Sequence, residues 1–182
     1  DVARRVALAG FNALAVDPVN SQVVWAAMTF GGVKKSTNGG TTWTTVSGSV
    51  PMGPAPSSVV AIAVHPTSSN TVLMLGGDGV YRTTDGGTNW SRVTHLYSWN
   101  GALVADRAAP GTFYASGSDG VAFSADGGTT WNHLDSGLTN TDVQALAIDP
   151  ADHTRVYAGT AGSGVFSMTV DSGGAPTLRV TS

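Results

Sequence analysis

Apolar residues in this chain alternate with small or polar ones in short runs. No run holds an apolar face at helical spacing for three turns before a Gly or Pro interrupts it. The runs recur in a fixed order. An alternating strand ending in an acidic or Pro turn occurs four times, as Ala13-Leu-Ala-Val-Asp-Pro18, Ala61-Ile-Ala-Val-His-Pro66, Ala102-Leu-Val-Ala-Asp-Arg107 and Ala145-Leu-Ala-Ile-Asp-Pro150. A Gly-Val pair follows each, at Gly32, Gly79, Gly120 and Gly164. After the first three pairs comes one octapeptide: Ser36-Thr-Asn-Gly-Gly-Thr-Thr-Trp43, Thr83-Thr-Asp-Gly-Gly-Thr-Asn-Trp90 and Ser124-Ala-Asp-Gly-Gly-Thr-Thr-Trp131. Its tryptophans stand at 43, 90 and 131, a period of 47 and then 41 residues.

The first unit shows how each period parses into four strands, a to d. Strand a is expected over Ala13–Val16, and Asp17-Pro18-Val19-Asn20 turns the chain because Pro cannot extend a ladder. Strand b, Val23–Met28, holds the branched and aromatic types that suit a pleat. Strand c is Val33–Ser36; Asn38-Gly39-Gly40 then supplies the positive-φ positions of a hairpin into strand d, Thr42–Val46. Four short antiparallel strands repeated at this spacing are the signature of a propeller blade. The chain therefore reads as all-β, a single β-propeller segment over 1–182 with blades at about 12–47, 58–94, 101–135 and 143–181. In the fourth blade Asp171-Ser-Gly-Gly174 marks the c–d turn without a Trp, and Thr177–Thr181 is its expected strand d. Residues 2–8 form an extra strand that either closes a ring or belongs to a preceding blade.

Composition narrows the function. The 182 residues suffice for a sizeable core. They include twelve Asp, no Glu, seven Arg and only Lys34 and Lys35 as lysines, with a formal charge of −3. Without a basic cluster, nucleic acid is not an expected partner. The apolar runs, such as Val59–Val64, are strand-length, so no membrane role is expected. The absence of cysteine removes disulfides and thiolate metal sites. His65, His95, His133 and His153 lack paired spacing, so neither a metal nor a cofactor is expected. His65 stands where two other units carry Asp before Pro, which marks it as a turn residue. No signal peptide is visible, which leaves a cytosolic protein, a mature form or a fragment. A Ser/Thr/Asn/Gly-rich surface nearly free of Lys and Glu points to an exported protein, extracellular or secreted.

The octapeptide resembles the Asp-box, or BNR repeat, of sialidases, sortilin-type receptors and xyloglucan-degrading glycosidases. Asp85 and Asp126 could be read as catalytic carboxylates. The physical reading is structural: a turn Asp accepts hydrogen bonds from nearby backbone N–H groups and fixes the hairpin. Asn38 holds the equivalent place in the first blade, where it can cap the turn but not transfer protons. Asn38, Asp85 and Asp126 are accordingly assigned to the turns. Trp43, Trp90 and Trp131 are assigned to packing strand d between blades. The resemblance implies that these boxes lie away from the substrate face.

In a four-stranded meander the c–d turns share one end with the a–b turns. The opposite end collects the b–c turns, Thr29-Phe30, Gly77-Asp78, Ser118-Asp119 and Gly162-Ser163, and the links Ser47–Ser57, His95–Asn100 and Ser136–Thr141. The link His95-Leu-Tyr-Ser-Trp-Asn100 places Tyr97 and Trp99 among polar neighbours, as a sugar-binding platform requires. A second reading has Trp99 plug a gap between blades. The candidate ligand-binding residues are Tyr97, Trp99, His95, Phe30, Asp78 and Asp119; the two aspartates also read as ordinary turn chemistry.

The closest resemblance is to the xyloglucanase family, through Ala105-Asp-Arg-Ala-Ala-Pro-Gly-Thr-Phe-Tyr114 running on to Trp131, and through Val156-Tyr-Ala-Gly-Thr160. It covers most of the chain but rests on blade-building residues, so it transfers fold better than function. Those enzymes use one Asp from each of two propellers as acid and base. The matching turn, Met28-Thr-Phe-Gly-Gly32, carries Thr29 in place of the carboxylate, and Thr cannot titrate. No catalytic residue is assigned; any enzyme activity of a larger assembly would be glycoside hydrolysis. Sialidase activity fails for want of any Glu. The expected function is carbohydrate binding, on polysaccharide or oligosaccharide, by the noncatalytic part or relative of such a glycosidase. The alternative is a protein- or peptide-binding scaffold of the sortilin or photosystem assembly factor type. Four blades are not expected to form the whole ring, so a second propeller half, another copy or more of a parent protein, is an expected partner.

Overall fold

A computed structural model describes residues 10–30, 32–46, 58–134 and 137–170. The described residues are all strand, turn and loop, in four consecutive antiparallel sheets. The first holds β1 (Phe11–Val16), β2 (Val24–Met28), β3 (Val33–Ser36) and β4 (Thr44–Thr45). The second holds β5 (Val59–His65), β6 (Ser68–Gly76), β7 (Gly79–Thr83) and β8 (Ser91–Thr94). The third holds β9 (Leu103–Ala105), β10 (Phe113–Gly117), β11 (Gly120–Ser124) and β12 (Asn132–His133). The fourth holds β13 (Val143–Ile148), β14 (Arg155–Thr160) and β15 (Gly164–Thr169). Each sheet is a meander in chain order, as short strands joined by tight turns must be. The extra strand over 2–8, the turn at 171–174 and the strand over Thr177–Thr181 lie outside the described residues.

Sheet faces pack on sheet faces, which is why β6, β7, β10 and β11 of the middle sheets are mostly buried, while the outer strands β8 and β12 are not. One core cluster joins the first and second sheets around Trp25, Val64, Met74 and Trp90. A second joins the second and third around Leu73, Leu75, Leu96 and Phe113. A third joins the third and fourth around Tyr114, Phe123, Val156 and Met168. Each such fully buried large side chain contributes roughly 1.5–3 kcal/mol. The Trp25 and Trp90 rings add an edge-to-face contact, with centroids 6.4 Å apart at 88°.

No core cluster of the described residues joins the fourth sheet to the first. On β1, Ala13 and Ala15 pack toward the second sheet. Leu14 and Val16, on the opposite face by strand alternation, are 66% and 55% exposed.

The outer strands are shorter than the sequence pattern suggests. Strand d of the first unit spans Thr44–Thr45 rather than Thr42–Val46, because the Thr42 amide is taken by the Asn38 side chain at 2.8 Å instead of by the ladder. The Trp of each octapeptide sits one residue ahead of its outer strand.

Candidate functional site

The three octapeptide turns share one hydrogen-bond cage. Its centre is the buried first residue, Ser36, Thr83 or Ser124. In the second blade the Thr83 hydroxyl donates to Asp85 Oδ1 at 2.8 Å and accepts from the amides of Asp85 and Gly87 at 3.3 and 3.1 Å. Ser36 and Ser124 repeat those three bonds. The Asx side chain then accepts the amide four residues on: Asn38 from Thr42, Asp85 from Asn89 and Asp126 from Thr130. The Trp indole donates to the second glycine's carbonyl at 3.0 to 3.1 Å. The amide of the first glycine donates to the a–b turn or the start of strand b in the same sheet, Gly39 to Gln22, Gly86 to Asn70 and Gly127 to Gly111, which fixes these turns at the a–b end.

These bonds favour the ionised carboxylates. The amide and side chain of Asn89, with the Thr83 hydroxyl, hold Asp85 down to about 2. Around Asp126 desolvation pushes upward, but bonds from Thr130, Ser124 and Thr129 outweigh it and leave the carboxyl at about 2. Such groups are locked anions, unsuited to proton transfer near neutrality.

At the opposite end the link over 95–100 runs across two b–c turns. Leu96 and Ser98 point inward and are fully buried, whereas Tyr97 and Trp99 point outward. The Tyr97 amide donates to Asp119 Oδ2 at 3.1 Å, Ser98 N to Gly77 O at 3.3 Å, and Ser118 N to Tyr97 O at 2.8 Å. The Trp99 backbone is thus held between Ser98 and the Gly101 amide, which donates to Ser98 Oγ at 2.8 Å. With Trp99 75% exposed, the reading in which its ring plugs a gap between blades does not hold: the inward places are already filled by Leu96 and Ser98.

Trp99 walls a cleft of about 460 Å³ with Phe11, Asn12, Thr29, Ser58 and Asn100. Val60 and Gly101 complete its lining. A polar chain crosses it: Thr29 Oγ1 donates to Asn12 Oδ1 at 3.0 Å, and Asn12 Nδ2 donates to Ser58 Oγ at 3.1 Å and Val59 O at 2.8 Å. None of the lining side chains titrates in the physiological range.

Of the other sequence candidates, Phe30 and Tyr97 are exposed at this end without lining the cleft. His95 is exposed nearby. Asp119 caps the link, and Asp78 accepts from Tyr81 Oη and Arg92, both at 2.8 Å. Burial and that bond to Asp78 push the Tyr81 phenol up to about 12, so it remains the donor. Both aspartates therefore have structural partners. His65, expected as a turn residue, accepts the Thr67 amide through Nδ1 at 3.3 Å. No group of three or more metal-ligating side chains occurs among the described residues.

The sequence pattern missed Phe11 and Asn12. Phe11 stands at the register place of Val59 and Val143, just before the irregularity that opens three of the four inner strands. Those two are fully buried, so periodicity assigns Phe11 to the core. Asn12 carried one usable signal, a polar residue where the second unit has Val60.

Comparisons with known proteins agree with this architecture. A GH74 enzyme of Niastella koreensis superposes with a TM-score of 0.70 at 20% identity, covering 92% of this chain and 29% of that one. The GH74 xyloglucanase of Xanthomonas campestris gives 0.69 at 17% identity, covering 96% and 31%. YCF48 bound to D1 peptide gives 0.62 at 19% identity, covering 96% and 55%. At such identities the likeness is one of fold, and this chain spans only about a third or less of the GH74 chains. No curated protein matches the sequence. The model of the DUF6242 beta propeller domain matches residues 19–170. The chain, with its repeated four-stranded sheets over that stretch, belongs to the DUF6242 beta propeller domain family.

Proposed function

We propose that this chain is a carbohydrate-binding propeller, the noncatalytic part or relative of a polysaccharide-degrading, xyloglucanase-like glycosidase, acting outside the cell. The carrying observation is the cleft at the link end, where Trp99 and Phe11 offer ring faces beside the amides and hydroxyls of Asn12, Asn100, Thr29 and Ser58. Sugar rings present apolar C–H faces and peripheral hydroxyls, and that combination suits them. The glycan binds without being cleaved here, because Thr29 stands where the resemblance to xyloglucanases implies a carboxylate and, among the described residues, no acid–base pair lines the cleft. The likeness to GH74 enzymes supports the ligand class. A peptide-binding scaffold, as YCF48 with its D1 peptide suggests, is the second reading, but the cleft presents neither a basic nor a flat apolar surface. A second propeller half, from another copy or from a larger parent, would extend the platform.

Isothermal titration with xyloglucan and β-glucan oligosaccharides tests the reading. Trp99→Ala is expected to weaken binding by about 1–2 kcal/mol, the scale of one aromatic contact, and Phe11→Ala by a comparable amount. Tyr97→Ala, outside the lining, changes affinity less. Affinity unchanged in both the Trp99 and Phe11 variants removes the cleft as the site. Binding of peptides with no binding of any glycan establishes the scaffold reading instead.

A further inference from the structure

Two of the junctions between sheets are built from the same three contacts. The strand-c residue just ahead of the octapeptide sends a cation to the carbonyl of the first glycine in the next blade's octapeptide. Lys35 Nζ reaches Gly86 O at 3.2 Å, and Arg82 Nε reaches Gly127 O at 2.8 Å. Their register partners on strand b, Trp25 and Leu73, press against the second glycine. A Cβ on Gly87 would lie 3.1 Å from the Trp25 ring, and one on Gly128 would lie 2.4 Å from Leu73 Cδ2. The octapeptide Trp packs at both seams: Trp90 lies in the core shared with the first sheet and also donates to Val46 O at 2.9 Å, and Trp131 packs, partly buried, against the core of the second and third sheets. At these two junctions the earlier blade thus offers a cation and a bulky knob, and the later blade receives the pair.

The third blade carries Phe123 in the cation position. The sequence copy that follows it lacks the octapeptide Trp. Cation and intact octapeptide therefore occur together at two junctions and are both missing at the third. The first blade has an intact octapeptide with its full internal cage. Nothing among the described residues docks on it. A Cβ on Gly40 would meet only the blade's own Trp43, at 3.7 Å, and no cation of the described residues bonds the Gly39 carbonyl. Trp43 belongs to none of the three core clusters. Leu14 and Val16 are exposed on the face of β1 turned from the second sheet.

We infer that this flank of the first blade is a docking face for a blade of a partner propeller, one carrying Lys or Arg at the strand-c residue that corresponds to Lys35 and Arg82 and a bulky apolar residue opposite it on strand b. The inference extends the proposed second propeller half and specifies its chemistry. A second copy of this chain fits poorly. Its fourth blade presents Tyr157 as the knob but Ser167 in the cation position, leaving the Gly39 carbonyl without its charged donor. A hydrogen bond to a charged group is worth about ten-fold to a hundred-fold in association.

Supplying the missing cation in the chain itself is the test. Sedimentation equilibrium is run on the full chain as wild type, Ser167→Arg, Ser167→Lys and Ser167→Arg with Leu14→Asp, with melting curves to confirm that each folds. The expected result is about ten-fold tighter self-association for Ser167→Arg than for wild type, with Ser167→Lys as a second cation should the arginine impair folding. Leu14→Asp should reverse the gain. Equal association of wild type and folded cationic variants overturns the inference, as does a gain insensitive to Leu14→Asp. A wild-type chain that already associates as tightly as Ser167→Arg keeps a self-made propeller half but likewise overturns the specified chemistry. Arg4→Ser with Arg5→Ser is the remaining arm: if only these substitutions let Ser167→Arg associate, the chain's own amino-terminal segment is the occupant and the partner blade is not.

Discussion

At the scale of single residues, the octapeptide works as a solvent-facing cage closed by one buried hydroxyl. Asp85 and Asp126 draw the eye in the sequence, but Ser36, Thr83 and Ser124 anchor each turn to strand c while the Asx side chain reaches the second arm. Ser124→Ala leaves the Asp126 and Gly128 amides without their acceptor and is expected to cost about 1–2 kcal/mol, measured by urea denaturation. A loss below the error of that measurement would move the restraint to the carboxylate alone. The carboxylates add a pH dependence of fixed sign. Their folded values near 2 lie below the ordinary 3.8, so their stabilisation is complete above about pH 4 and fades as pH falls toward 2. Melting temperatures between pH 2 and 6 should fall less steeply for the Asp85→Asn, Asp126→Asn double variant than for wild type. Asn38 shows that an uncharged side chain fits the same cage. An acid limb of unchanged slope would show that other carboxylates control it.

At the scale of elements, strand identity follows from alternation, whereas the glycines of the second and third octapeptides serve the preceding blade. Gly128 has φ of 81° and Gly40 has φ of 86°, so Ala at either carries the left-handed backbone penalty of about 1–2 kcal/mol. Only at Gly128 does the new methyl also collide with buried Leu73, a packing penalty of about 1–3 kcal/mol more. Gly128→Ala should therefore destabilise more than Gly40→Ala when both are unfolded in urea, and equal losses would place the glycine requirement in the backbone alone. The same logic shortens the outer strands. Their first residues belong to the cage, and the ladder begins only after the Trp.

At the scale of the whole molecule, the four sheets make three cores, and burial is greatest in the middle. The β6 side chains from Thr71 to Gly76 are all buried, while β1 and β13 carry several exposed positions. Amide hydrogen exchange on the intact chain should be slowest in β6 and β10 and distinctly faster in β1 and β13, whose sheets have one face without a described neighbour. Equal protection of β1 and β6 would mean that the first sheet's outer face is covered in solution.

The repeat, the four-sheet plan, and the turns and loop ends of the described residues were legible in the sequence, because alternation and turn chemistry are local and recur at a fixed period; the link Ser47–Ser57 lies outside the described residues. The outward aim of Trp99 was not. Its neighbours Leu96 and Ser98 fill the space beneath only once two b–c turns converge on the link. Phe11 was hidden for the opposite reason. Its pattern is that of a core residue, and its exposure depends on which blade stands beside it. The links between Lys35 and Gly86 and between Arg82 and Gly127 join residues 51 and 45 positions apart. Periodicity specifies what each blade is. Only packing one blade on the next decides which residues meet and which flank is left to bind a partner.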